Sequence, residues 1–142
     1  MKMEVCKGMS EWTKLLLRLI VGAVFLTAGY VKFQNPAMIQ GMLGTLNYPL
    51  PEIMGWILII TELLGGALIV LGLFTCWASI PMSFVMLMAL LTVHLPSMLN
   101  KGAGFLESGS ALVALTMAVL LHLMTTGAGK ISVDHLISKK KQ

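Results

Sequence analysis

Glu62 is the only charged side chain in a 21-residue apolar run from Ile53 to Leu73 (IMGWILIITELLGGALIVLGL). A carboxylate there has no water to solvate it, so it must be paired, protonated or facing a wet cavity. The chemistry open to it is proton exchange. Arg18, Lys32, His94 and Glu107 stand in or beside the other apolar stretches. Arg18, Gly22, Phe25, Gly29 and Lys32 are spaced 4, 3, 4 and 3, which sets both cations and both glycines on one helix stripe. Glu62, Gly65, Ile69 and Gly72 share a face in the same way, and Glu107, Ala111, Ala114 and Ala118 form a small-residue stripe headed by an acid. Lipid rejects charge, and small residues let helices approach closely, so these stripes belong inside a bundle.

At about 1.5 Å of rise per residue, Glu62 falls near mid-membrane and Arg18 a few residues in from the inner end. Lys32, His94 and Glu107 fall near the outer end. The pattern is an outer polar cluster, Lys32–His94–Glu107, above a deeper carboxylate, with Arg18 extending upward from below. Each residue also has a purely structural reading. Arg18 can snorkel to the inner interface and Lys32 can anchor the outer one. Glu62 can form a structural pair with Arg18 or another polar partner. His94 can serve as a hydrogen-bonding residue at a helix end, and Glu107 can favour a helix N-terminus through the macrodipole. His122 reads as a satisfied interior or interface residue, and the methionines as apolar filler.

The elements that position these residues follow from composition. The chain has 142 residues, 57% hydrophobic and 11% charged, against about 25% charged in soluble domains. That composition predicts an all-α integral membrane protein, one domain over residues 1–142. There is room for about four spanning helices with short loops, since each needs roughly 20 residues. Helices are expected over about 11–33, 52–73, 77–95 and 105–126, as an up-down four-helix bundle with a basic tail over 127–142. Asn35-Pro36 closes the first helix, and Ala37, Met38, Met42, Leu43 and Leu46 suit a short interfacial helix. Tyr48 and Trp56 suit interface aromatics. Phe74-Thr75-Cys76 is a very short turn, so the second and third helices are antiparallel neighbours. Pro81 is tolerated near a helix start. Pro96 is expected to end the third helix and Gly127-Ala128-Gly129 the fourth, leaving an amphipathic turn or two before SKKKQ.

Lys2, Lys7, Lys14, Arg18, Lys130, Lys139, Lys140 and Lys141 fall on one side of this topology and only Lys32 and Lys101 on the other. The positive-inside rule then sets both termini in the cytoplasm. Arg18 interrupts the first apolar stretch and no A-x-A site follows, which argues against a cleaved signal. The pI near 9.3 reflects basic ends suited to an anionic leaflet and does not argue for nucleic acid. Cys6 and Cys76 form no CxxC, so a metal or dithiol site is not indicated. A two-histidine haem is opposed by roughly 20 Å of depth between His94 and His122. No GxGxxG, HExxH or Ser-His-Asp arrangement is visible.

Several segments in order resemble the DoxX family. LLLRLIVGAVFLTAGYVKF (15–33) followed by Asn35-Pro36 is similar to its first helix, and TELLGGALIVLGLFT (61–75) to its second. TVHLP (92–96) with a Gly-containing loop and Glu107 resembles the third-to-fourth helix junction, and TGAGKISVDHLI (126–137) the closing segment. Tyr30 and the short loop 101–105 depart from the pattern. The resemblance implies a small four-helix inner-membrane protein. Members are described as subunits of a terminal quinol oxidase or of a thiosulfate:quinone oxidoreductase, others as membrane partners in redox or thiol-stress complexes. The matching family positions are Arg18, Lys32, Glu62, His94 and Glu107.

The expectation is a quinone or quinol held between the first, second and fourth helices. Glu62 would exchange a proton with a ring oxygen, Arg18 would tune its acidity, and Lys32, His94 and Glu107 would pass protons outward. Electrons would come from a redox partner subunit. The alternatives are a non-enzymatic membrane scaffold that docks a partner, and a small-solute or proton transporter. The latter lacks the inverted repeats and broken helices common in transporters, though homo-oligomerisation could supply a repeat.

Overall fold

A computed structural model of the protein describes residues 2–102, 104, 106 and 109–139. Among these residues the fold is helical with no strand. In order come α1 (Lys2–Gln34), α2 (Pro36–Thr45), α3 (Pro51–Leu71), α4 (Thr75–Ala89), a π turn (Leu90–His94), α5 (Leu95–Lys101), α6 (Ser110–Thr126) and α7 (Val133–Lys139). Three helical stretches, Glu11–Gln34, Pro51–Leu71 and Thr75–Asn100, are long and apolar enough to cross a membrane, whereas α6 is apolar but shorter at 17 residues.

Helix α1 packs on α3, α3 on α4, α4 on α6, and α6 back on α1. Their shared core is Val21, Phe25, Ile69, Ala78, Met82, Leu120 and Leu123. The outward faces carry large exposed apolar residues such as Leu64, Phe84 and Leu115. On helices long and apolar enough to span a membrane, such outward residues suit a lipid-facing surface.

The α1–α3 contact follows the predicted stripes. Gly22 lies against Gly66 O and Val70 N, where an added Cβ would come within 3.1 and 3.3 Å, and Gly29 lies against Leu63 and the Cβ of Glu62. Helix α3 ends at Gly72, whose φ of +69° is the left-handed cap, with Leu73 N–H donating to Leu68 O at 2.9 Å. The short turn that follows makes α3 and α4 antiparallel neighbours, as expected.

Two expectations change. Pro96 does not end the third helix. Leu90–His94 widen into a π turn, with Leu95 N–H bonded to Leu90 O, and the helix resumes as α5. Proline removes a donor and crowds the carbonyl four residues back; a π turn just before it lets the ladder relax without breaking. The alanine stripe on α6 is not its buried face. Ser110, Thr116, Leu120 and Leu123 are buried, while Ala111 and Ala114 are half-buried and Ala118 is exposed. Ser110 and Thr116 turn their hydroxyls away from lipid, and Leu120 and Leu123 pack in the shared core, which together decide the rotation of the helix.

Candidate functional site

Glu62 is buried, with 1% of its side chain exposed, and its partner is Lys32. Lys32 Nζ donates to Glu62 Oε1 at 2.5 Å and to Oε2 at 2.6 Å. The close approach of α1 at Gly29 brings the two helices together at this level. A Cβ at Gly29 would stand 3.2 Å from the Glu62 Cβ, and Lys32 follows less than one turn later on the same face. Lys32 keeps 27% of its side chain exposed. It lines an apolar groove of about 160 Å³ between the end of α1 and α2, with Val31, Asn35, Met38, Ile39 and Met42. Lys32 therefore connects a buried carboxylate to an apolar groove. Phe33 meets Trp56 edge to face, centroids 6.2 Å apart, and braces α1 against α3 at this end.

The expected Arg18–Glu62 pair does not form. Arg18 is buried at 1% exposure and, among the described residues, donates to backbone carbonyls alone. These are Ile69 O at 3.0 Å, Val70 O at 2.9 Å, and Ala128 O and Ile131 O at 2.8 Å each. Ile69 lies seven residues beyond Glu62, about 10 Å of axial rise. The physical reason is the guanidinium fork. Its five donors match several carbonyls at once, and the C-terminus of α3 presents carbonyls at the negative end of a helix dipole. Gly72 leaves the fork its space, since a Cβ there would collide with the guanidinium.

This end holds contacts that charge matching did not anticipate. The Asp134 carboxylate accepts from Phe74 N at 2.9 Å and Thr75 N at 3.4 Å, capping α4 from the tail, while Asp134 N donates to Gly72 O at 3.1 Å. Glu11 accepts from Lys130 N at 2.5 Å and from Lys14 Nζ at 3.2 Å. The available signal was the Gly-x-Gly-basic and Ser-x-Asp closing segment, which now reads as a latch on α1 and α4.

Of the outer cluster, the structure joins Lys32 to Glu62. His94, at the end of the π turn, is half-buried, and its Cε1 would stand 3.3 Å from a Cβ at Gly109, just before α6. Glu107 lies outside the described residues. His122 and Cys76 are exposed.

Apolar spans, a lipid-facing exterior and a buried ion pair define a helical integral membrane protein. Residues 13–95 match the DoxX family, and the chain belongs to it. It is 32% identical over 132 residues to a Bacillus subtilis protein named "Putative oxidoreductase CatD", covering 90% of this chain and 89% of that one. An uncharacterized protein of Haemophilus influenzae is 30% identical over 127 residues, with 87% and 90% covered. An uncharacterized membrane protein of Mycobacterium tuberculosis is 29% identical over 133 residues, with 87% and 80% covered. No solved structure matches the chain.

Proposed function

We propose that this protein is an inner-membrane subunit of a quinone-linked oxidoreductase complex. It is an up-and-down bundle of four spans with both termini cytoplasmic, and it exchanges protons through the Lys32–Glu62 pair. The observation that carries this reading is Lys32 itself. Its ammonium holds both oxygens of a buried carboxylate, and its stem lines an apolar groove at one end of the bundle. The apolar lining suits a hydrophobic ring, with Lys32 and Asn35 as the polar groups for a ring oxygen. Glu62 exchanges a proton with that oxygen by way of Lys32, and electrons come from a partner subunit. His94 and Glu107 belong to the same outward proton route. The name of the Bacillus subtilis relative, an oxidoreductase, supports the redox association.

The test is Glu62→Gln in the intact membrane complex. Loss of quinone-linked electron transfer is expected. A Glu62→Gln protein that keeps full quinone binding and full electron transfer refutes the reading. Mass spectrometry of the gently purified protein should find a quinone and a partner subunit together. A scaffolding role has one observation in its favour: the Arg18 and Asp134 contacts order a tail whose Leu136 is 67% exposed. A stoichiometric protein partner without a lipid-soluble cofactor would favour it.

A further inference from the structure

Helix α4 carries Thr75, Ser79 and Ser83 at four-residue spacing, so their hydroxyls stand above one another on one face. Thr75 and Ser79 have no exposed surface. Ser79 Oγ donates to Thr75 O at 2.8 Å and keeps its lone pairs as acceptors. Thr75 Oγ1 and Ser83 Oγ are buried with no hydrogen-bond partner among the described residues. Native interiors pair nearly every buried hydroxyl with protein or ordered water, because leaving one unpaired is costly.

The ladder has two distinct ends. At its foot, Phe74 and Thr75 meet the half-buried Asp134 carboxylate beside the exposed Phe74 ring. At its head, register sets the depth. Gly65 faces Met82, whose Cε would lie 3.0 Å from a Cβ at that glycine. Position 82 of α4 is therefore level with position 65 of α3, and Ser83 stops about 3 Å of axial rise short of Glu62. Successive hydroxyls are four residues apart, about 6 Å of axial rise. Two waters in series, with hydrogen bonds of about 2.8 Å, bridge such a gap.

We propose that Thr75, Ser79 and Ser83 hold a short file of water molecules that enters at the Asp134 end and reaches the depth of Glu62. The file delivers exchangeable protons to the Lys32–Glu62 pair from the end opposite the Lys32 groove. Its use as a proton route rests on the role proposed for Glu62; the wet seam itself does not.

The experiment places single cysteines in the full chain, with Cys6→Ser and Cys76→Ser, in proteoliposomes. The probe is silver ion, which is close to water in size and reacts with thiols that water can reach. Ser83→Cys should react at least tenfold faster than Phe84→Cys, its lipid-facing neighbour, and adding Thr75→Val should slow it at least threefold. Equal rates at the two positions in folded protein overturn the proposal. If Ser83→Cys does not fold, hydroxyl-radical labelling of the unsubstituted protein decides. Oxidation of the fully buried Met82 supports the file, and complete protection overturns it. Glu62→Gln should leave Ser83→Cys reactivity unchanged. A reactive Ser83→Cys combined with full quinone-linked turnover in Glu62→Gln would remove the role of Glu62 and keep the seam.

Discussion

Lys32→Met preserves the length and apolar stem of the side chain and deletes its ammonium. Glu62, 1% exposed, then loses both short contacts, at 2.5 and 2.6 Å. Each hydrogen bond to a charged group contributes about 1.5–3 kcal/mol. Breaking a buried pair from one side costs about 3–5 kcal/mol, because the remaining charge has no solvent. The predicted loss for Lys32→Met is therefore about 3–4 kcal/mol. Glu62→Gln is milder, about 1–2 kcal/mol, since it leaves no buried anion and the partly exposed Lys32 can turn its ammonium toward the membrane surface. The double variant should resemble Glu62→Gln alone, which gives a coupling energy equal to the Lys32→Met cost, about 3–4 kcal/mol. Reversible unfolding by SDS titration in mixed micelles, followed by circular dichroism, measures all four proteins. A Lys32→Met cost under about 1 kcal/mol, or effects additive within about 0.5 kcal/mol, refutes the pairing. Arg18→Met combined with Glu62→Gln should be additive, since Arg18 binds carbonyls a turn and more away.

Arg18→Lys should destabilise by about 3 kcal/mol, since one ammonium cannot reach carbonyls on both α3 and the 128–131 segment; the same unfolding titration measures it, and limited proteolysis should show new cleavage near Lys130. Asp134→Ala removes the cap on α4 and should cost about 1 kcal/mol, with Asp134→Asn about half as much, by thermal melting in one detergent. Gly22→Ala presses a methyl first on Val70 Cγ2, a β-branched side chain backed by Gly66 O and Val70 N of α3, whereas Gly65→Ala presses on the flexible Met82 side chain. The first should cost about 3 kcal/mol and the second about 1 kcal/mol.

Much of the fold is legible in the sequence because hydropathy and small-residue spacing are local signals. The Arg18-to-Lys32 stripe lies inside the bundle as expected, where it meets α3, and the short helix after Asn35-Pro36 is present. Misreadings arose where a local rule competes with packing. Pro96 is a strong stop signal on its own, yet the π turn before it keeps the helix running. The alanine stripe on α6 has the right spacing, yet Ser110 and Thr116 turn inward with Leu120 and Leu123 and leave Ala118 outside. The contacts of Glu11 with Lys130 and of Asp134 with Phe74 join positions more than fifty residues apart, and no periodicity encodes such pairings.

Arg18 and Lys32 share one stripe, are both cationic and both stand near a turn of α3, yet they take opposite kinds of partner. Matching charge to charge sends the deeper, longer Arg18 to Glu62. The structure assigns the carboxylate to Lys32 because the two cations differ in donor geometry. A point-like ammonium is satisfied by one carboxylate, here with both oxygens within hydrogen-bond distance. A planar fork needs several acceptors in a plane, and four carbonyls from a helix end and a loop supply them. The consequence is a division of labour along α1. Arg18 is committed to backbone that cannot titrate, so it fixes the α3 terminus and the tail in register. Lys32 is committed to a group that can take up or release a proton, with its stem exposed to an apolar groove. Exchanging the two cations, Arg18→Lys with Lys32→Arg, should therefore lose the latch without restoring it elsewhere.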